Sequence, residues 1–594
     1  MNRIDGYAPI AEYSAIGDGR TVALVARDGS IDWLALPDLD SPSVFGAVLD
    51  AERGGCFELR PEEEFDATRR YLPGTNVLET TFTTAFGIVR VTDAMTIPTV
   101  GLAPYRELVR RVEGIAGSVP MRWLVLPRPG YGAQVRVERR TGVPVVARGT
   151  DALAVIGWNA GEPTVGDGCI AGRFTAASGE PAHIVLVAAH QEPLVLPSRG
   201  EVEARLAGTE TAWRRWSDSR RYDGPWRDEV IRSGLALKLL VFAPSGAIAA
   251  APTTSLPEEI GGERNWDYRY SWPRDSAFTL RALLALGCAP EADAFFSWLQ
   301  HASQLTHPNV RVLYRLNGGP DAGERSLPLR GYRDSRPVRV GNGAAGQTQL
   351  DVYGEVLDAA AEVARAARRL DGDYARRLAE IADHVCKVWR RPDAGIWEVR
   401  STPLHFTQSK MMCAVALDRA CRLADQGLLR GDVRRWRREH DEIRAFVDGR
   451  CYSEEKRSYT RSAEEDLLDA SLLLGVIAGY DEPAAPRLLG TVDAIRRELG
   501  NGPLVARYLG EDGLPGEEGA FVACSFWLAE AYARQGRLDE ATTLMDELVA
   551  LANDVGLYSE ELQPETGEFL GNFPQGLSHL ALINAAAAIA GAAA

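Results

Sequence analysis

The sequence predicts a multidomain β + α protein: an N-terminal antiparallel β-sandwich followed by a C-terminal (α/α)6 barrel. Up to about Val195 the apolar residues fall in short, strand-like runs separated by turn signals. After Pro225 they fall in long segments of helical period. Those segments are joined alternately by short turns and by long loops rich in Trp, Tyr, Arg and Glu, as an antiparallel ring of helix pairs requires. The expected division is 1–200 for the sandwich, 201–225 for a charged linker helix and 226–594 for the barrel.

In the first part, strands are expected at Thr21–Val25, Ser30–Leu34, Asn76–Thr84, Ile88–Thr92 and Ala182–Ala188. Arg27-Asp28-Gly29, Leu72-Pro73-Gly74 and Pro129-Gly130-Tyr131-Gly132 punctuate them, which favours antiparallel pairing over βαβ units. In the second part twelve helical segments follow: Trp226–Phe242, Ser276–Leu286, Pro290–Gln304, Gln347–Arg368, Tyr374–Arg390 and Thr407–Asp425, then Asp432–Val447, Ala463–Ile477, Pro486–Leu499, Ala520–Arg534, Asp539–Asn553 and Gly576–Ala590.

At 594 residues the chain exceeds the roughly 250–300 at which a single core stops growing. Hydrophobic residues make up 45% and charged residues 25%, enough apolar material for large cores. A formal charge of −16 without a Lys/Arg run argues against nucleic acid and anionic membranes as partners and suits a small neutral substrate. The start has no signal-peptide core, and the Ala-rich tail from Ala585 reads as a helix end, so no membrane partner is expected. Eight scattered cysteines without CxxC or Cys/His spacing imply reduced thiols, a cytoplasmic location and no metal. Nothing in the sequence fixes the oligomeric state, and a homo-oligomer remains open.

The chemistry concentrates in the long loops. Gly395-Ile-Trp-Glu-Val-Arg400 places Glu398 between Ile396 and Trp397, where burial would raise a carboxyl pKa and suit a general acid. Ser559-Glu560-Glu561, ahead of Gly571-Asn-Phe-Pro-Gln575, supplies a second carboxylate, as an acid and base pair needs. The residues alone also allow a plainer reading, in which Glu398 salt-bridges a loop and Glu560 is one of 82 acidic residues on a solvated surface. Gly261–Asp275 packs two Trp, two Tyr, three Arg and two Asp, including Trp266, Tyr268, Tyr270, Trp272, Arg274 and Asp275. Aromatic faces cover sugar C–H surfaces, while Arg and Asp bond hydroxyls. Leu329–Asn342 adds Arg330, Arg333, Arg336 and Arg339, and Arg507-Tyr508 with Glu517-Glu518-Gly519 adds a further wall. His405 and His579 read as core histidines.

These loops, in this order and over nearly the whole chain, resemble glycoside hydrolase family 15, the glucoamylases and prokaryotic trehalase-like α-glucosidases. Gly29-Ser-Ile-Asp-Trp-Leu and Ser41-Pro-Ser-Val-Phe45 resemble the N-terminal β-domain of its prokaryotic members. The resemblance implies an inverting, exo-acting α-glucoside hydrolase that needs no cofactor. It puts Glu398 on the general acid, Glu560 on the base and Tyr268 on the tyrosine that helps hold the attacking water. It puts Arg274, Asp275 and Arg507 on the grip for the terminal glucose, Trp272 and Trp397 on the pocket walls, and Ser578 on support for the base. Tyr270 and Arg339 join them as expected substrate contacts from the same loops. Two positions depart from the pattern: Val399 stands where glucoamylases carry a second acid, and Leu327–Tyr332 lacks the His usual before Gly-Tyr in trehalase-like members. Trehalose or another short α-glucoside is therefore the expected substrate, with an α-1,4/α-1,6 glucan as the alternative.

Two other readings stand beside this one. An inverting sugar phosphorylase would hold phosphate on Arg330, Arg333, Arg336 and Arg339 but would not need Glu560. A carbohydrate-binding protein would not need both carboxylates.

Overall fold

The computed structural model describes residues 3–98, 106–367, 370–510, 512–516 and 518–593. The β-domain is two antiparallel sheets that share one strand. Arg106–Leu126, 21 residues long, pairs through Arg106–Val112 with Ala182–His190 in one sheet and through Ser118–Val125 with Cys169–Ala177 in the other. It bends at Gly117, whose φ of +69° and close approach to the Phe86 carbonyl exclude a side chain. Val25, Ile31, Phe57 and Leu59 of one sheet meet Phe82, Val89, Leu108 and Ile184 of the other to form the sandwich core.

The strand Val22–Ala26 is buried on both faces. Ala23 and Val25 point into the sandwich, while Val22, Leu24 and Ala26 belong to the core shared with the barrel. The linker helix α1 (Arg199–Asp218) starts at a capping box of Ser198 and Glu201 and buries Val202, Leu206, Thr209, Trp213 and Ser217 along one face.

Among the described residues twelve helices follow: α2 (Arg227–Leu240), α3 (Ser276–Ala285), α4 (Ala289–Gln304), α5 (Asp351–Ala367), α6 (Gly372–Val388), α7 (Thr407–Asp425), α8 (Val433–Arg450), α9 (Leu473–Ile477), α10 (Pro486–Leu499), α11 (Val522–Arg534), α12 (Leu538–Val549) and α13 (Gly576–Ala593). The odd-numbered helices from α3 to α13 touch in sequence, and α13 returns to α3, closing an inner ring of six. The even-numbered helices from α2 to α12 surround it. This is the expected (α/α)6 barrel.

Inner helices are apolar nearly all round because both their sides are covered; every residue from Val522 to Ala533 is buried. The same cause explains the Ala-rich tail. Helix α13 is long and apolar enough to cross a membrane, yet it is an inner-ring helix walled by α2, α3, α11 and α12.

One helix is shorter than expected. In place of Ala463–Ile477, helical structure starts at Ala470, as a 3-10 turn that runs into α9. Asp469 caps it by accepting the Ser471 N–H at 2.7 Å, and the residues before it form a loop. The expected helix end at Arg368 lies outside the described residues.

Candidate active site

The residues with chemical potential sit where inner helices begin. Arg274 and Asp275 precede α3, Asn342–Gln347 precede α5, Ile396–Arg400 precede α7, Arg507–Phe521 precede α11, and Glu560 lies ahead of α13. All but Glu560 line one pocket. Its walls include Trp266, Phe278, Trp397, Phe521, Trp527 and Leu577; its polar groups include Glu258, Arg264, Tyr268, Arg274, Asp275, Glu398, Arg507 and Glu518.

Glu398 stands in the left-handed region at φ 59°, a conformation that a non-glycine residue keeps only when its surroundings impose it. Gln347 Nε2 holds the Glu398 carbonyl at 3.1 Å, and Arg274 Nη1 holds the Ile396 carbonyl at 2.7 Å. The Glu398 carboxylate accepts the Trp272 indole N–H at 2.7 Å and Arg274 Nη1 at 3.2 Å, both on Oε1. The apolar enclosure expected from Ile396 and Trp397 is therefore not its setting. The backbone turn sends Glu398 toward a cation and an indole donor instead, while Trp397 stacks on Trp527 and donates to Asp469 at 2.9 Å.

Glu560 is fully buried behind the pocket lining. Its Oε2 accepts the Asn572 N–H at 3.2 Å. Burial pushes its carboxyl up to about 7, against the opposing pull of Arg507, the Tyr268 hydroxyl and the Asn572 N–H. Tyr268 lines the pocket, and burial, then the charges of Glu560, Glu258 and Glu398, push its hydroxyl up. Ser578 Oγ donates to the Ser559 carbonyl at 2.9 Å and anchors the segment carrying Glu560 without reaching the pocket.

Arg507 gathers acidic groups. Its Nη2 lies 2.9 Å from Glu258, 2.7 Å from Glu518 and 3.3 Å from Glu561. Among the described residues these three carboxylates form the one trio close enough to hold a metal ion, and the guanidinium already sits among them. Arg264 in turn joins Asp512 and Glu518. Arg274 and Asp275 pair at 3.1 Å; burial raises the Asp275 carboxyl and Arg274 partly offsets it.

Not every expected contact reaches the pocket. Trp272 is buried and holds Glu398 rather than forming a wall. Tyr270 packs with Trp272, Val312 and Leu313 in a small core. Arg339 lies 4.4 Å from the Trp266 ring and bonds the Glu263 and Asn265 carbonyls, so it supports Trp266 from behind. The other arginines of that loop are neutralised as well: Arg330 and Arg336 by Asp334, Arg333 by Glu568. None of these arginines lines the pocket, so they do not offer it a phosphate site. Glu517 lies outside the described residues.

Sequence reasoning missed Glu258, Asn342, Gln347, Asp512, Phe521 and Trp527 as lining residues. Only Glu258 had a local cue, the Pro257-Glu258-Glu259 run that ends a short strand.

Paired carboxylates in an aromatic, arginine-lined pocket at one end of an (α/α)6 barrel define a glycoside hydrolase. Residues 224–587 match Glycosyl hydrolases family 15, and residues 5–159 match the Trehalase-like, N-terminal family. The chain belongs to glycosyl hydrolase family 15. It is similar to a trehalase of Mycolicibacterium smegmatis, 39% identical over 98% of this chain and 91% of that one. It is similar also to a trehalase of Thermoplasma volcanium, 34% identical over 98% and 94%. Its fold matches the crystal structure of a bacterial glucoamylase complexed with acarbose at a TM-score of 0.72 and 14% identity, covering 99% of this chain and 95% of that one.

Proposed function

We propose that the protein is an inverting trehalase. The observation that carries the substrate is similarity to trehalases across nearly the whole chain, both domains included. Glu398, on the pocket wall, protonates the glycosidic oxygen as the bond to the anomeric carbon breaks. Glu560, steadied by Tyr268, takes a proton from a water that attacks the opposite face of that carbon, releasing β-glucose. Arg274, Asp275 and Arg507 hold the hydroxyls of the terminal glucose, and Trp397 covers its C–H face. All eight cysteines are free thiols, which supports a cytoplasmic site of action.

The test is glucose release from trehalose, maltose, isomaltose, kojibiose, nigerose and soluble starch, with the product anomer followed by NMR. Trehalose should exceed starch per chain end in kcat/KM by at least about tenfold, roughly 1.4 kcal/mol of transition-state stabilisation. Activity that rises steadily with glucan length would make the protein a glucoamylase. Turnover that requires phosphate and yields glucose 1-phosphate would make it a phosphorylase.

A further inference from the structure

The catalytic loop is clasped by the β-domain at a single buried arginine. Arg269, next to Tyr268, is fully buried. Its guanidinium makes four bonds. Nε and Nη2 donate to the two Asp267 oxygens at 2.8 and 2.7 Å, Nη1 donates to the Ser41 carbonyl at 2.6 Å, and Nη2 also donates to the Tyr131 hydroxyl at 2.9 Å. Two of the three partner residues, Ser41 and Tyr131, belong to the β-domain.

The β-domain side of the clasp is built for the purpose. Tyr131 stands at φ 68° beside Gly130 at φ 69°, a strained turn for a tyrosine, and this turn carries its hydroxyl into a buried position against the barrel. Asp40, beside Ser41, pairs with Arg315 of the barrel at 2.8 Å. Trp33 donates to the Pro252 carbonyl at 2.8 Å, and the Ala251 N–H next to it donates to the Tyr268 carbonyl at 2.9 Å. On the barrel side Asp267 Oδ2 accepts the Gly341 N–H at 3.0 Å, so the clasp reaches the loop carrying the pocket residue Asn342.

We propose that Tyr131 is a positioning residue for hydrolysis: by fixing Arg269 it sets where Tyr268 stands beside Glu560. This rests on the roles given above to Tyr268 and Glu560. Tyr131 touches no substrate. Without its hydroxyl, Arg269 keeps Asp267 but loses one of its two anchors in the β-domain, and the neighbouring Tyr268 is held less firmly.

Tyr131→Phe keeps the ring packed against Arg269 and removes only the hydroxyl. With the disaccharide cleaved fastest in the panel above, kcat should fall by about 3- to 10-fold while KM stays within about twofold. Glu560 is faced by Arg507, Glu258, Glu518, Glu561 and Tyr268. Of these only Tyr268 moves, so its hold on the Glu560 carboxyl weakens and the acid limb of the pH–rate profile should shift to higher pH.

A double-variant cycle isolates the route of the effect. Tyr268→Phe alone should slow the enzyme more, and adding Tyr131→Phe to it should cost nothing further. Multiplicative losses in the double variant would overturn the proposal, as would a normal kcat and pH profile for Tyr131→Phe beside a slow Tyr268→Phe. A normal rate for Tyr268→Phe would overturn both the clasp and the role of Tyr268. If Tyr131→Phe does not fold, Arg269→Lys, which keeps the charge but not the fork, should give the same kcat-selective loss; wild-type behaviour there would count against the clasp.

Discussion

Gly571 and Glu560 stand so close that a Cβ on the glycine would lie 2.4 Å from Glu560 Oε2, and the glycine has a φ of +70°. Gly571→Ala should therefore displace the base and lower kcat by about 10²-fold. The positive φ alone costs about 1–2 kcal/mol. Steady-state kinetics beside circular dichroism would separate the two effects; an alanine variant with wild-type kcat would show that the carboxyl can give way.

Glu560→Gln and Glu398→Gln should each reduce kcat by about 10²–10⁴ with the fold retained, because proton transfer is lost and packing is not. Burial pushes Glu560 up to about 7, so kcat/KM should rise with pH through that region as the base ionises. A profile flat from about pH 4 to 9 would contradict the assignment.

Arg507→Met would strand Glu258, Glu518 and Glu561 beside one another without their cation. Near neutral pH the expected loss of stability is about 3–5 kcal/mol. At pH 5 the loss should be smaller, since Glu258 and Glu561, whose carboxyls burial raises, are then protonated and the repulsion is relieved. Urea midpoints at the two pH values decide it.

Thermal stability should fall as pH rises from about 4 to 8. Burial pushes the Glu258 carboxyl up to about 8 and those of Glu560 and Asp351 up to about 7. With folded values raised, the folded chain binds more protons; the stabilisation this brings is full below about pH 4 and is lost as pH climbs from there through about 7 to 8. Tm should drop between about pH 4.5 and 8 and level off above that, and Glu258→Gln should flatten the drop. His579 acts in the opposite sense. Burial lowers it to about 3, so its contribution is lost as pH falls below about 6.5.

A chain beginning at Arg220 should be insoluble or inactive. It would lose Trp33 from Pro252, Tyr7 from the Gly331 carbonyl and the Ala8 carbonyl from Tyr332, and it would expose the barrel face now covered by Val22, Leu24 and Ala26. Full activity from that chain would show the β-domain to be dispensable. Asp32 and Trp33 lie in the strand Ser30–Ala35 and act from inside the interface.

Twelve barrel segments were legible because helices pressed between neighbours keep a strong apolar period, and the linker helix because its cap and buried face are local. The long strand Arg106–Leu126 was not legible. Arg106, Glu107, Arg110, Arg111 and Glu113 hide its apolar alternation, and the structure buries Arg110 only by pairing it with Asp93 at 2.8 Å, a contact no local pattern announces. The site divides in the same way. Motif loops brought Glu398, Glu560, Tyr268, Arg274 and Arg507 into view. Glu258 stayed hidden, because its burial depends on Arg507, which lies 249 positions away. Trp272 was read as a wall and Arg339 as a substrate contact because composition marks a loop as functional without saying which side chains turn inward.

The closed inner ring also shapes how the chain reaches its fold. Helices α3 and α13 are neighbours in space but about 300 residues apart in sequence, so the contact that seals the ring carries a high loop-closure entropy and forms late. Until then the inner helices, apolar on nearly every side, have no cover, and an unsealed barrel is prone to aggregate. Refolding yield should therefore depend steeply on protein concentration, and chaperones that shield long apolar helices should raise it.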